Sequence, residues 1–195
     1  MNKLNRWVFA TGNNGKALEM QELLAEQNIT VLTLKDIGFA GDIVEDGINF
    51  EENARIKVEA VCDTVEHPVF ADDSGLEVDA LNGEPGLYSA RYAGEGASDQ
   101  ANRDKLLNAL RDSGNRKARF VCVVACKFPG QEILVFRGIC EGSIGLEEKG
   151  DHGFGYDPIF IPSGYQESFG ELDDKLKSKL SHRGLAMAEL KKNIF

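Results

Sequence analysis

One junction constrains the fold more than any other stretch of the chain. An apolar run, WVFA at residues 7–10, passes directly into the turn TGNNGK at residues 11–16 and then into an amphipathic segment at 16–26. Glycine and asparagine tolerate positive φ, so they permit a tight turn between a buried strand and a helix. A second strand-like run, ITVLTL at residues 29–34, follows. The order strand, helix, strand is typical of a crossover connection in an α/β protein.

The remaining elements continue this alternation and add a hairpin. A Pro-Gly-Gln turn at residues 129–131 separates two long apolar runs, and such a turn predicts antiparallel neighbours. We therefore predict one α/β domain over residues 1–195, with a mixed twisted sheet and flanking helices. The predicted strands are 6–10, 29–34, 69–71, 76–81, 118–128, 132–140 and 158–161, and the predicted helices are 16–26, 48–66, 98–112 and 171–193, the last broken near 181–184.

Charge excludes one class of partner. The chain carries 32 acidic and 22 basic residues, a net charge of −10. A protein that follows a nucleic-acid backbone needs a basic surface, so we expect no nucleic-acid partner. A small phosphate ligand remains compatible with this charge, because local donors and a divalent cation can offset the wider field.

Neither a membrane nor a disulfide framework is expected. No apolar run approaches the roughly 18 residues of a membrane span, and the N-terminal apolar segment is too short for a signal peptide despite Lys3 and Arg6. The four cysteines contain no C-x-x-C pair, and the three histidines have no zinc-ligand spacing. We expect buried free thiols and a reducing, cytoplasmic location.

The opening turn is a candidate anion site. Its backbone N–H groups and the positive end of the following helix would suit phosphate. The alternative is a simple turn with an exposed lysine. A Walker A loop is excluded, because only two residues separate Gly12 from Gly15-Lys16 and Ala17 follows. The candidate residues are Thr11, Gly12, Asn13, Asn14, Gly15 and Lys16.

Carboxylates follow the third apolar strand. Asp72 and Asp73 precede Ser74 and Gly75, at the edge where α/β sheets bind ligands. Adjacent side chains of an extended segment point to opposite faces, so we expect one aspartate to face the site and the other to brace the turn. Glu45 could add another oxygen ligand, and such a set suits Mg²⁺. An Asx turn that ends the strand is the alternative.

Two later stretches also carry unusual chemistry. In GDHGFGYDP at residues 150–158, glycines surround aromatic rings that could stack on a base; a glycine-rich turn with a core aromatic is the alternative. In KLKSKLSHRG at residues 175–184, Ser181 predicts a helix N-cap, which places His182 and Arg183 against the helix dipole. That cost hints at a nearby anion or polar ligand, although a basic helix end could merely balance an acidic protein.

These motifs occur in a characteristic order: TGNNGK, FEENA, ADDSGLEVDALNGEPGLYSARYAG, GFGYDPIF and SHRG. The order resembles that of the inosine/xanthosine triphosphate pyrophosphatase family, from about residue 6 onward. The resemblance implies an elongated two-lobed α/β fold, a homodimer, dependence on Mg²⁺, and hydrolysis of non-standard purine nucleoside triphosphates to a nucleoside monophosphate and pyrophosphate.

The resemblance also implies individual roles. The turn from Thr11 to Lys16 would hold the triphosphate, and Asp73 would activate water and bind the metal together with Glu45. Ser74 would lie beside the substrate, and Phe154 would stack on the base. Lys177, chosen over Lys179 by its spacing from His182, would contact the substrate. Residues expected to frame or read the base are Phe154, Gly155, Tyr156, Asp157, His182 and Arg183.

Two other functions are compatible with some of these motifs. A nucleotide-binding sensor without turnover would need the phosphate turn but not Asp73. A pyrophosphatase for modified pyrimidine or ordinary nucleotides, as among relatives of the septum-formation inhibitor proteins, would share the general fold. The combination of SHRG with GFGYD favours the purine enzyme.

Overall fold

A computed structural model of the protein describes residues 5–195. Lys3, which entered the argument against a signal peptide, lies outside these residues. Six strands form one sheet in the order β2-β1-β3-β4-β5-β6. The strands are β1 Arg6–Phe9, β2 Thr30–Thr33, β3 Val69–Val78, β4 Lys117–Lys127, β5 Leu134–Ile144 and β6 Phe160–Pro162, and the helices are α1 Asn14–Leu24, α2 Phe50–Cys62, α3 Asp99–Ala109, α4 Asp174–Leu180 and α5 His182–Ile194.

The sheet is mixed, as predicted. Strand β1 pairs in parallel with both β2 and β3, whereas β5 and β6 are antiparallel. The parallel β1–β2 pair is joined through α1, which is the crossover that the opening motif predicts. Strands β4 and β5 are neighbours in the sheet on either side of the predicted turn. Among residues 5–195, no helix has the length and apolar character needed to cross a membrane.

Contacts divide the chain into two compact units. The first unit comprises residues up to 73 together with 123–137 and 186–195. Its core is aromatic: Phe9 stacks on Phe70 with ring centroids 4.6 Å apart, and Trp7 contacts Phe70, Phe128 and Phe195. Trp7, Phe9 and Phe70 are almost completely buried. Burial of such rings stabilises this unit mainly through the hydrophobic effect.

The second unit comprises residues 74–122 and 138–185. Its core also contains packed aromatic rings, since the centroid of the Phe120 ring lies 4.6 Å from that of Phe160 and 6.2 Å from that of Phe169. Helix α3 contributes Leu106 to this core, and Ser98 caps the helix by accepting a hydrogen bond from Ala101 N–H. The start of the helix predicted over 98–112 is therefore confirmed.

The prediction that a strand ends before Asp72 is wrong. Strand β3 continues through both aspartates to Val78, and a short 3₁₀ turn, Asp79–Leu81, replaces the end of the predicted 76–81 strand. The strand can continue because each carboxylate has a cationic partner, Lys16 for Asp72 and Lys57 for Asp73. A paired carboxylate does not have to turn out toward solvent.

The opening turn also differs from the prediction. Helix α1 begins at Asn14, and Asn13 is its N-cap, accepting a hydrogen bond from Lys16 N–H. Within residues 5–195, the glycines with positive φ do not include Gly12 or Gly15. These two glycines are therefore not required for a left-handed backbone. The break between α4 and α5, by contrast, falls at Ser181 as predicted, and Ser181 Oγ accepts a hydrogen bond from Gly184 N–H.

Candidate functional site

A group of polar side chains surrounds Asp73 in the first unit, and we call it the carboxylate–lysine cluster. Lys57 Nζ lies 2.8 Å from Glu45 Oε2 and 3.2 Å from Asp73 Oδ1. Asn53 Nδ2 donates a 3.1 Å hydrogen bond to the other carboxylate oxygen, Asp73 Oδ2. The Asp73 side chain is 13% exposed. Its two oxygens are thus held separately, one by an amide and one by an ammonium.

Helix α2 positions this cluster. Asn53 and Lys57 lie one turn apart on the helix, so both side chains face β3. The helix start is fixed by a reciprocal cap, in which Asn49 Oδ1 accepts from Glu52 N–H and Glu52 Oε2 accepts from Ile48 N–H. The sequence analysis did not identify Asn53 or Lys57. The feature of the sequence that could have indicated Asn53 and Lys57 is their spacing, because two polar residues four apart lie beside the apolar stripe of a predicted helix.

The loop that carries Glu45 is tied to the same helix. Gly47 N–H donates a 2.9 Å hydrogen bond to Asn53 Oδ1, so the amide of Asn53 holds the loop with its oxygen and Asp73 with its nitrogen. A Cβ on Gly47 would lie 2.7 Å from Asn53 Oδ1, which is closer than side-chain carbons come. Glycine at this position therefore permits the loop to approach the helix.

The pKa values of Asp73 and Lys57 both lie above their ordinary values, for different reasons. Burial raises the pKa of Asp73 above its ordinary value, although Lys57, Lys16 and the hydrogen bond from Asn53 oppose that rise. Burial on its own would lower the pKa of Lys57, but the carboxylates of Asp73, Asp72 and Glu45 outweigh it and raise that pKa. Lys57 is consequently a firmly protonated cation beside an aspartate that binds protons more readily than usual.

The lysine of the opening turn has a partner within the protein. Lys16 Nζ lies 3.0 Å from Asp72 Oδ2, and the Asp72 side chain is fully buried. Two backbone N–H groups of the turn are also used locally, because Asn13 N–H donates to Thr11 Oγ1 and Lys16 N–H donates to Asn13 Oδ1. Asp72 and Asp73, which are neighbours on β3, thus pair with different lysines.

The carboxylate–lysine cluster fits a divalent cation that is only partly ligated by protein. Mg²⁺ is commonly held by one or two carboxylates together with substrate phosphates and water. Glu45 and Asp73 both approach a single positive charge, at Lys57 Nζ. In the part of the chain that the structure describes, no group of three or more His, Cys, Asp or Glu side chains could hold a metal. The donor set thus suits Mg²⁺ shared with a phosphate ligand.

A second group, the aromatic–basic cluster, lies in the second unit and consists of Ser74, Phe154, Asp157, Lys177 and Arg183. Lys177 Nζ is 5.3 Å from the centroid of the Phe154 ring, and the Arg183 guanidinium carbon is 5.9 Å from it. Arg183 also donates a 3.2 Å hydrogen bond to Ser74 Oγ. Both cations are buried, with exposed fractions of 7% for Lys177 and 3% for Arg183. Two cations and a ring converge here.

Asp157 organises the backbone of this cluster. Its Oδ2 accepts hydrogen bonds from Phe154 N–H and from Lys177 Nζ, each at 2.8 Å. Gly153 has a φ of +77°, and a Cβ there would come within 2.1 Å of Asp157 Oδ2. A side chain at residue 153 would therefore displace the carboxylate that holds Lys177. Lys179, the alternative to Lys177 in the sequence analysis, is exposed.

Two predicted site residues have their side chains in the core. Tyr156 donates a 2.8 Å hydrogen bond to the Ser89 carbonyl, and burial raises the pKa of its hydroxyl. His182 is buried and stacks on Phe120, with ring centroids 4.6 Å apart and planes within 10°. The Tyr156 side chain therefore anchors the glycine-rich segment. Phe120, which is not among the site residues predicted from the sequence, orients His182.

A mixed α/β sheet carries a carboxylate–lysine cluster in the first unit, and the second unit holds buried cations around an aromatic ring; side chains of these kinds line the small-molecule sites of α/β proteins. The chain belongs to the Ham1 family, whose model matches residues 7–193. It is 48% identical to a dITP/XTP pyrophosphatase of Oceanobacillus iheyensis over 97% of this chain and 98% of that protein.

Other relatives and solved structures agree with this assignment. A dITP/XTP pyrophosphatase of Bacillus subtilis is 46% identical over 95% of this chain and 94% of that protein. The structure of the Staphylococcus aureus Ham1 protein is similar with a TM-score of 0.87 and 42% identity, over 97% of both chains. A HAM1 protein from Coxiella burnetii gives a TM-score of 0.88 and 39% identity over 98% of both chains.

Proposed function

We propose that the protein hydrolyses the non-standard purine nucleoside triphosphates dITP, ITP and XTP to the nucleoside monophosphate and pyrophosphate. This activity would remove such nucleotides from the pool before they enter DNA or RNA. The similar proteins from Oceanobacillus iheyensis and Bacillus subtilis carry the name dITP/XTP pyrophosphatase. The observation that carries the proposal is Asp73, a mostly buried carboxylate whose two oxygens are fixed by Asn53 and Lys57.

Asp73 is the proton acceptor in this mechanism. A water oxygen attacks phosphorus at the α–β anhydride, the bond to the bridging oxygen breaks, pyrophosphate leaves, and the proton of the water passes to Asp73. Burial raises the pKa of Asp73, which makes it a stronger base than an exposed aspartate, while Lys57 favours its ionised form. Hydrolysis of this kind depends on alignment and charge neutralisation more than on a covalent nucleophile.

Mg²⁺ is the proposed cofactor, held by Glu45 and Asp73. When bound, Mg²⁺ would neutralise phosphate charge and lower the pKa of a coordinated water. The ammonium of Lys57 contributes a permanent positive charge beside the same two carboxylates. The turn from Thr11 to Lys16 is proposed to bind the phosphates, with Lys16 shared between the ligand and its buried partner Asp72.

The aromatic–basic cluster is proposed to hold the base. Phe154 would stack on the purine, and Lys177 and Arg183 would contact its polar edge. Arg183 can only donate hydrogen bonds, so it can satisfy the carbonyl at position 6 of hypoxanthine or xanthine but not the amino group of adenine. Its hydrogen bond to Ser74 Oγ and its burial fix the direction of that donor.

The assembly and location form part of the proposal. We propose a homodimer in the cytoplasm, where nucleotide pools are used. The four cysteines are free, which suits a reducing compartment. Light scattering coupled to size-exclusion chromatography measures the assembly, and a mass of one chain would contradict the dimer.

A product assay tests the function. The purified protein is incubated with ITP, XTP, dITP, GTP and ATP plus Mg²⁺, and products are separated by anion exchange. We expect IMP and pyrophosphate from ITP, with turnover about 10²–10⁴-fold lower in Asp73→Asn. Asp112→Asn, an exposed aspartate, is the matched control. Release of orthophosphate, or equal turnover by Asp73→Asn, would contradict the proposed reaction.

A further inference from the structure

Helix α3 holds the backbone of Gly155 at both its N–H and its carbonyl. Gly155 N–H donates a 2.8 Å hydrogen bond to Asp99 Oδ2, and the Gly155 carbonyl accepts a 2.7 Å hydrogen bond from Arg103 Nη1. Asp99 and Arg103 lie one turn apart on α3, so one helical face presents an acceptor and a donor to one residue. We call this arrangement the Gly155 clamp.

The arginine of the clamp is itself held in place. Arg103 Nε lies 3.1 Å from Glu148 Oε1, and Arg103 Nη2 donates a 2.9 Å hydrogen bond to Gln100 Oε1. The Arg103 side chain is only 12% exposed. The guanidinium therefore makes two hydrogen bonds, to Gln100 and Gly155, and its Nε lies beside the Glu148 carboxylate, which together orient the donor that meets Gly155.

The clamp acts on a residue whose conformation needs support. Gly155 has a φ of +61°, and a Cβ there would meet nothing within 4 Å, so backbone conformation and not space favours glycine. Glycine is the residue that loses most conformational entropy when it is ordered. Two charge-assisted hydrogen bonds, one to its N–H and one to its carbonyl, offset that cost and select one backbone geometry.

The geometry of Gly155 bears directly on Phe154. The N–H of Phe154 is fixed by Asp157 on one side, and the following residue is fixed by the clamp on the other. The ring that these bonds orient lies near Lys177 Nζ and the Arg183 guanidinium. A different backbone conformation at Gly155 would therefore remove the support on the C-terminal side of Phe154.

We propose that Asp99 and Arg103 are positioning residues that set how Phe154 is presented to the base, an inference that rests on the proposed function. They act through Gly155 and do not touch the substrate. Their effect falls on base affinity and selectivity, because the carboxylate–lysine cluster that performs the hydrolysis does not include them.

Steady-state kinetics of Arg103→Met, Asp99→Ala and the double variant test this role. We expect KM for ITP to rise about tenfold in each single variant, with kcat changed less than about twofold and the ITP-to-ATP ratio of kcat/KM reduced. Because both side chains hold the backbone of the same residue, the double variant should show less than the product of the single effects. Arg103→Lys keeps a hydrogen-bond donor, so its KM for ITP should lie between that of the wild type and that of Arg103→Met.

Matched controls separate positioning from stability. Arg111→Met and Asp112→Asn change exposed residues just beyond α3 and should leave KM and selectivity unchanged. If the wild type hydrolyses ITP and the clamp variants keep its KM and selectivity, the clamp role is overturned while the function stands. A lower melting temperature with unchanged KM likewise overturns it. A wild type that hydrolyses none of the nucleotides overturns the function and the clamp role together.

Discussion

Lys16 Nζ forms a 3.0 Å ion pair with Asp72 Oδ2, and this carboxylate is completely buried. The lysine of the opening turn is therefore a structural cation as well as a candidate phosphate ligand. Removing one partner of a buried charge pair leaves the other uncompensated, which costs more than the pair contributes. The pair links the turn to strand β3.

Lys16→Ala should weaken both folding and substrate binding. We expect the free energy of unfolding to fall by about 1–3 kcal/mol, because Asp72 loses a charged partner, and KM for ITP to rise. Urea denaturation and initial rates measure the two effects. Adding Asp72→Asn to Lys16→Ala should recover stability but not KM. Recovery of both would show that Lys16 has no role toward phosphate.

Removal of the metal should stop the reaction. We expect no turnover in excess EDTA and full recovery on adding Mg²⁺. Glu45→Gln removes one proposed ligand charge and should raise the Mg²⁺ concentration needed for half-maximal rate by about tenfold. Asp46→Asn, an exposed neighbour in the same loop, is the control. Equal Mg²⁺ requirements in the two variants would remove Glu45 from the metal site.

Selectivity should depend on Arg183. The wild type is expected to prefer ITP and XTP over ATP by about 10²-fold or more in kcat/KM, because a buried donor facing an amino group is left unpaired. Arg183→Met should reduce that ratio at least about tenfold, whereas Lys179→Met, an exposed cation nearby in sequence, should not. GTP shares the carbonyl, so its rejection is not expected to change. An ATP rate equal to the ITP rate in the wild type would contradict this role.

Thiol chemistry should distinguish Cys62 from the buried cysteines. Cys62 is half-buried and lines a cavity of about 640 Å³, whereas Cys122, Cys126 and Cys140 are buried. Burial raises the pKa of Cys126 and Cys140 to about 12. Iodoacetamide at about pH 8 should modify the folded protein once, at Cys62, and the unfolded protein four times. Mass spectrometry of digests locates the label, and rapid labelling of Cys126 would contradict its burial.

The raised pKa of Cys126 predicts that the stability of the protein depends on pH. Above pH 9 an unfolded thiol loses its proton, while the folded Cys126 keeps its proton up to a pKa of about 12. The folded state therefore binds more protons in this range, and the free energy of unfolding falls as pH rises, by about 1.4 kcal/mol per pH unit for this thiol. Cys126→Ala should lose less stability than wild type between about pH 8 and about pH 10.5. Parallel losses in the two proteins would contradict the shift.

Sequence periodicity predicted most elements of the fold, because burial of one face leaves a local pattern. The crossover around α1 and the break at Ser181 follow from such patterns and from local capping. The continuation of β3 through Asp72 and Asp73 could not be predicted in this way. Its cause lies in lysines from two other segments, and pairing across the chain leaves no periodic signal.

The residues of the candidate site likewise divide into those that a local motif indicates and those that depend on distant parts of the chain. Its glycine-rich and paired-acid motifs stand out in the sequence, whereas Asn53 and Lys57 look like ordinary polar residues of a surface helix. Their burial against Asp73 becomes visible only when α2 packs on the sheet. Asp99 and Arg103 are still harder to predict from the sequence, because their partner Gly155 lies more than 50 residues further along the chain.

The division of the chain into units has a consequence for synthesis on the ribosome. The unit that begins with β1 also needs residues 186–195, including Phe195, which stacks on Trp7. All segments of the other unit, ending at residue 185, leave the ribosome earlier. The strand made first therefore waits longest for its packing partners, and until they emerge the side chains of Trp7, Phe9 and Phe70 are apolar surface that favours aggregation of the incomplete chain.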